Sequence, residues 1–181
     1  MDNDWAYEQH FKTRAECSGY WHSKSVHLKQ SAGVLSKAWE SNEILDSGAT
    51  YRMLMGMSLE LLFKAFYVAN KKTPPTVHTL NHLSAESGIA FSDKEQEILE
   101  VLSGYVVWEG KYPVPKDTIK KPGPGSLKAQ WSSLSKKDDY STGLFGQKVV
   151  SISKIAEDDL SYSKLKVLWG KVNSKYVEQN V

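Results

Sequence analysis

The stretch from Tyr51 to Lys72, "YRMLMGMSLELLFKAFYVANKK", limits the possible folds more than any other part of the chain. Apolar side chains fall on every face of the helix it would form, and Glu60 and Lys64 are the main charges in its middle. A helix apolar all round has to be enclosed by other elements, so it reads as the buried central member of a bundle. It falls short of a membrane span, because no apolar run reaches the roughly 20 residues that a span requires. Glu60 and Lys64 stand i, i+4 with the acid first, the order that favours an ion pair. Gly56 costs up to about 1 kcal/mol relative to alanine inside a helix, and a close helix crossing would account for it. "KKTPPT" then stops the helix, since prolines cannot continue it and lysines suit its C-terminal end.

The flanking segments supply the enclosing elements. Residues 19–45 place Leu28, Ala32, Leu35 and Trp39 at helical spacing, and "DSGA" at 46–49 reads as a turn. "VHTLNHLSAESG" reads as a short helix closed by Gly88. Ser92 with Glu95 three residues on is a capping box, and Ile98, Leu102, Tyr105 and Val106 follow at helical spacing. Residues 154–178 carry Leu165, Leu168, Trp169, Val172 and Tyr176 on one face. "GQKVVSISKI" has strand character but no obvious partner, and residues 129–150 give no clear element. The expected fold is therefore all-α, a bundle of about four to five helices in one domain spanning 1–181, with its core at about 19–178. A long Pro/Lys/Gly-rich loop, 110–128, is expected after the fourth helix, with a mobile tip at "KKPGPG".

Charge narrows the partners. The net charge of +2 favours no polyanion, but residues 111–128 hold five lysines (Lys111, Lys116, Lys120, Lys121 and Lys128) against one acid, Asp117. Arginine, the usual bidentate reader of guanine and phosphate, occurs only at Arg14 and Arg52. That composition poorly equips a base-specific reader. The acidic, polar N-terminus does not read as a signal peptide. The single Cys17 excludes an internal disulfide, which fits a cytoplasmic setting.

Candidate chemistry is sparse. His78 and His82 are spaced to share a helix face, yet no Glu follows the first histidine, as zinc proteases require. No metal or cofactor site is expected. The simpler reading has His78 orienting the turn while Leu80 and Leu83 pack inward. His22 and His27 read as surface residues, and Cys17 has no predictable base beside it. The prolines of "KKPGPGS" remove the backbone N–H groups that a phosphate cradle requires. The acids at 138–139 and 157–159 read as solvated.

One arrangement in the middle of the chain is more distinctive. Glu60, Lys64 and Ala65 form "E-x-x-x-K-A", and His78 and Leu80 form "H-x-L". Trp108, Lys111, Tyr112 and Pro113 close the series where a "W-x-x-R-Y-P" would stand. In order and spacing this resembles the HEPN superfamily of helical domains over residues 50–115. Physically, Trp108 can bury at the helix end, Gly110 releases the helix, Tyr112 folds back and Pro113 prevents continuation. Lys111 is then left facing solvent beside His78. The resemblance implies a surface presented to nucleotides or RNA, with His78, His82, Lys72, Lys111, Tyr112, Lys116, Lys120 and Lys121 as binding candidates. It also implies a homodimer, a nucleotidyltransferase-type protein partner and a role in defence or toxin–antitoxin systems. Many HEPN proteins are metal-independent ribonucleases with an "R-x(4–6)-H" motif at the last main helix. That motif is absent here, and Lys72 with His78 is its nearest imitation. The expected function is a non-catalytic binding module. The alternatives are a divergent ribonuclease using His78 with a nearby lysine, and a purely structural or interaction domain.

Overall fold

A computed structural model describes residues 3–45, 47–111, 140–142, 148–150 and 155–180. Six α-helices occur among them: α1 (Asn3–Glu16), α2 (Ser18–Glu40), α3 (Gly48–Ala69), α4 (Leu80–Ser84), α5 (Asp93–Gly104) and α6 (Tyr162–Asn180). The class is all-α, and α1 is a helix that sequence periodicity leaves unannounced. Two three-residue strands, β1 (Tyr140–Thr142) and β2 (Lys148–Val150), pair antiparallel with Tyr140 opposite Val150. Tyr140–Thr142 is thus the partner that "GQKVVSISKI" lacked in the sequence. The expected loop at 110–128 lies outside the described residues beyond Lys111.

The central place of α3 follows from its sequence. Met55, Leu59, Leu62, Phe63 and Ala65 are wholly enclosed. The neighbouring α2 runs back antiparallel, with Trp39 beside Tyr51 near the turn and Ser25 beside Ser58 farther along. Ser25 Oγ donates to the Ser58 carbonyl and Ser58 Oγ donates to the Ser25 carbonyl, each at 2.7 Å. Small residues let the two backbones approach this closely, and each buried hydroxyl finds a partner. Trp169 of α6 donates its indole N–H to Ser25 Oγ at 3.1 Å, joining a third helix to the same point.

Gly56 marks a second close approach. A Cβ there would stand 2.6 Å from Val106 Cγ2 and 3.0 Å from the Leu102 carbonyl oxygen. The end of α5 and the single π-helical turn that follows it, Tyr105–Glu109, therefore lie directly on α3. The capping box opens α5 as expected, since Ser92 Oγ accepts from Glu95 N–H and the Glu95 carboxylate accepts from Ser92 N–H.

Two boundaries differ from the sequence reading. Helix α3 ends at Ala69, before the prolines. The Lys72 N–H bonds the Tyr67 carbonyl and the Lys71 N–H bonds the Val68 carbonyl. This Schellman closure puts Lys71 in the left-handed region at φ 59. Helix α6 starts at Tyr162, because Ser161 is extended and the acids before it form a separate 3-10 turn, Glu157–Leu160. Those acids are also not all solvated. Asp159 is buried and accepts from Lys94 at 2.7 Å and Lys164 at 3.1 Å, tying the starts of α5 and α6. Lys171 adds a second tie, reaching Glu95 at 2.8 Å.

Arg52 is the other unexpected internal charge. It is 6% exposed and sits among the rings of Trp39, Tyr51 and Tyr105. It donates to both tyrosine hydroxyls and pairs with Glu157. Burial opposes its charge, and the bonds from Glu157 and Tyr105 outweigh that, so the guanidinium stays ionised.

Candidate functional site

The site begins with the ion pair on α3. Lys64 Nζ stands 2.7 Å from Glu60 Oε1, and both side chains are about nine-tenths buried. A buried charge is tolerated only with partners, and Glu60 gains a second one from outside its helix. His78 Nδ1 lies 3.0 Å from each Glu60 oxygen. An ionised carboxylate only accepts, so Nδ1 carries the proton, and Nε2 of the half-exposed ring is left for a solvent-borne partner.

His78 does not lie on a helix. It precedes α4 in irregular backbone, and Thr79 is the residue before the first turn. The shared helix face expected for His78 and His82 does not form, because the short helix begins only at Leu80. His82 is exposed on α4. His22 also departs from its surface reading. It is half-buried, bonds Asn173 at 2.7 Å and stacks on Tyr176. His27 is exposed, as expected.

Beside the cluster opens a cavity of about 660 Å³. Lys64, Lys71 and Lys72 line it with one acid, Glu16, while Trp21 and Pro74–Pro75 give apolar walls. Lys72 pairs with Glu86 at 2.9 Å, and that bond, with one from Asn70, holds the Glu86 carboxyl below its ordinary range. The Lys71 side chain makes no hydrogen bond or ion pair among the described residues, although its backbone is held in a conformation that L-residues rarely adopt.

Of the residues singled out in the sequence, His78 bonds Glu60 in the middle of α3, and Lys72 follows the C-terminal end of that helix. Lys111 is exposed. Its neighbour Gly110 lies over Met53, seven residues before Glu60 on the same face of α3. At 1.5 Å per residue Met53 and Glu60 are about 10 Å apart along the helix axis. Tyr112, Lys116, Lys120 and Lys121 lie outside the described residues. Sequence reasoning passed over Trp21, Lys71 and Glu16, because they converge only when α1, α2 and the end of α3 meet. Among the described residues no group of three or more His, Cys, Asp or Glu side chains is placed to hold a metal ion, and no helix is long and apolar enough to cross a membrane. Comparison with protein-family models, with curated proteins and with solved structures finds no match to this chain.

Proposed function

We propose that this chain is a HEPN-type helical module that binds a phosphate-bearing ligand, nucleotide or RNA, where His78 meets the lysine-lined cavity. The observation that carries this reading is the His78 imidazole, anchored by a buried carboxylate that also holds Lys64, one of three lysines lining the cavity. The anchor fixes the ring's direction, and the lysines supply a field suited to phosphate. Titration of labelled nucleotide and RNA at low salt tests it. Binding should weaken at least fivefold in His78→Ala and in Lys72→Ala. A wild-type protein that binds neither probe would end this reading.

One observation favours a second reading, metal-independent RNA cleavage. The Glu60–His78 pair has the form of a carboxylate-oriented general base, a group that contributes roughly 10²–10⁴-fold where it acts. Structured RNA incubated with the protein in EDTA should then be cut. His78→Ala should lose most of the rate, and Glu60→Gln should shift its pH profile. Equal cleavage by His78→Ala would reject this reading. The same proposal includes homodimerisation and a nucleotidyltransferase-type partner within a defence or toxin–antitoxin setting. Support for a protein contact comes from α1, where Trp5, Tyr7 and Phe11 are 67%, 63% and 62% exposed.

A further inference from the structure

A smaller cavity of about 230 Å³ neighbours the one beside Lys64, and Ala15 and Trp21 border both. The second is lined by Arg14, Tyr20 and Lys24. Arg14 stands over the Tyr20 ring at 5.7 Å. On these walls stand Arg14, Lys24, Lys64, Lys71 and Lys72, with Lys64 and Lys72 paired to Glu60 and Glu86 and Glu16 the acid among the lining residues. Trp21 borders both cavities, and its indole N–H donates to the Ala15 carbonyl at 2.9 Å, which fixes the ring.

Cations along a groove, with a fixed aromatic plane between them, suit a flexible chain of phosphates and flat bases. A duplex could not present its bases to such a ring. Lys71 supplies a separate argument. It fills the left-handed position closing α3, where glycine or asparagine is the usual choice and where Asn42 stands at the end of α2. A lysine held there against its backbone preference points to a use for its side chain, and that side chain lines the cavity.

We infer that this groove is a track for single-stranded nucleic acid, with a base stacked on Trp21 and the backbone following Arg14, Lys24, Lys71 and Lys72. The inference rests on the phosphate-binding reading above and adds to it strandedness and the stacking residue.

Fluorescence anisotropy with a labelled oligouridine octamer tests it across a salt series on the full chain. Trp21→Leu should weaken binding about tenfold, the loss expected of one stacked base. Circular dichroism reports whether that variant keeps its fold. Lys71→Ala, on an exposed side chain, is the second variant and should reduce the salt slope by about 0.7. A thymidine octamer that binds equally supports a track blind to the 2′-hydroxyl, and weaker binding supports a track for RNA. A hairpin duplex that binds as tightly as the octamer overturns the inference, as does uridine monophosphate alone doing so. Octamer binding that is lost in His78→Ala but unchanged in Trp21→Leu and Lys71→Ala overturns the track and leaves the phosphate-binding reading standing. No binding by wild type removes both.

Discussion

Two single residues in this chain work against their local preference, and each makes a prediction of definite sign. Replacing a helical glycine with alanine ordinarily stabilises by up to about 1 kcal/mol. At Gly56 the added methyl meets Val106 and the Leu102 carbonyl oxygen, which is backbone and cannot rotate away. Gly56→Ala should therefore destabilise by about 1–3 kcal/mol in urea unfolding, as overpacking does. A neutral or stabilising result would mean that α3 and α5 are not pressed together there. At Lys71 the sign reverses. Glycine takes φ near 59 freely, as Gly88 does at φ 64. Lys71→Gly should thus raise stability by about 1 kcal/mol while weakening the octamer in anisotropy. A variant that is more stable and binds equally well would show that Lys71 is only strained.

At the scale of elements, α6 is fastened to α5 by charge. Hydrogen bonds from Lys94 and then Lys164 hold the Asp159 carboxyl down from its ordinary 3.8 to about 2. An acid depressed in the folded state contributes stability above its unfolded value, and that contribution is lost as pH falls through the folded value. The window is therefore about pH 4 to 2, with stability falling toward the acid side. Urea midpoints measured from pH 5 to pH 2 should drop less in Asp159→Asn than in wild type. Parallel curves would show that this carboxylate does not fasten the helices. Glu95 acts in the same direction. Burial alone would raise its carboxyl, and the bonds from Lys171 and Ser92 more than offset this and hold it low.

For the whole molecule, the open question is what meets α1. Its aromatics Trp5, Tyr7 and Phe11 stand in solvent on one helix, away from the core enclosed around α3. A homodimer formed there predicts a light-scattering mass of two chains for wild type and one for Phe11→Lys, with unchanged circular dichroism in both. A single-chain mass for wild type at micromolar concentration would remove the dimer from the proposal.

The sequence by itself determined the class of the fold and much of its core, because helical periodicity and an all-round apolar segment are local signals that burial then enforces. The enclosed α3, the capping box at Ser92 and the Glu60–Lys64 pair were all legible, since each depends on spacing within one helix. Half of the candidate site was legible too, as His78 and Lys72 lie next to the prolines that mark the end of α3. Tertiary structure decided the rest. It buried Asp159 and Arg52, whose neighbourhoods hold groups from distant parts of the chain. It put Trp21 on the same cavity as Lys71, fifty residues away in sequence. A one-dimensional pattern records which face of a helix is apolar. Which polar groups from different helices end up within reach of one ligand depends on how those helices cross, and that is set by contacts such as Ser25 with Ser58 and Gly56 with Leu102.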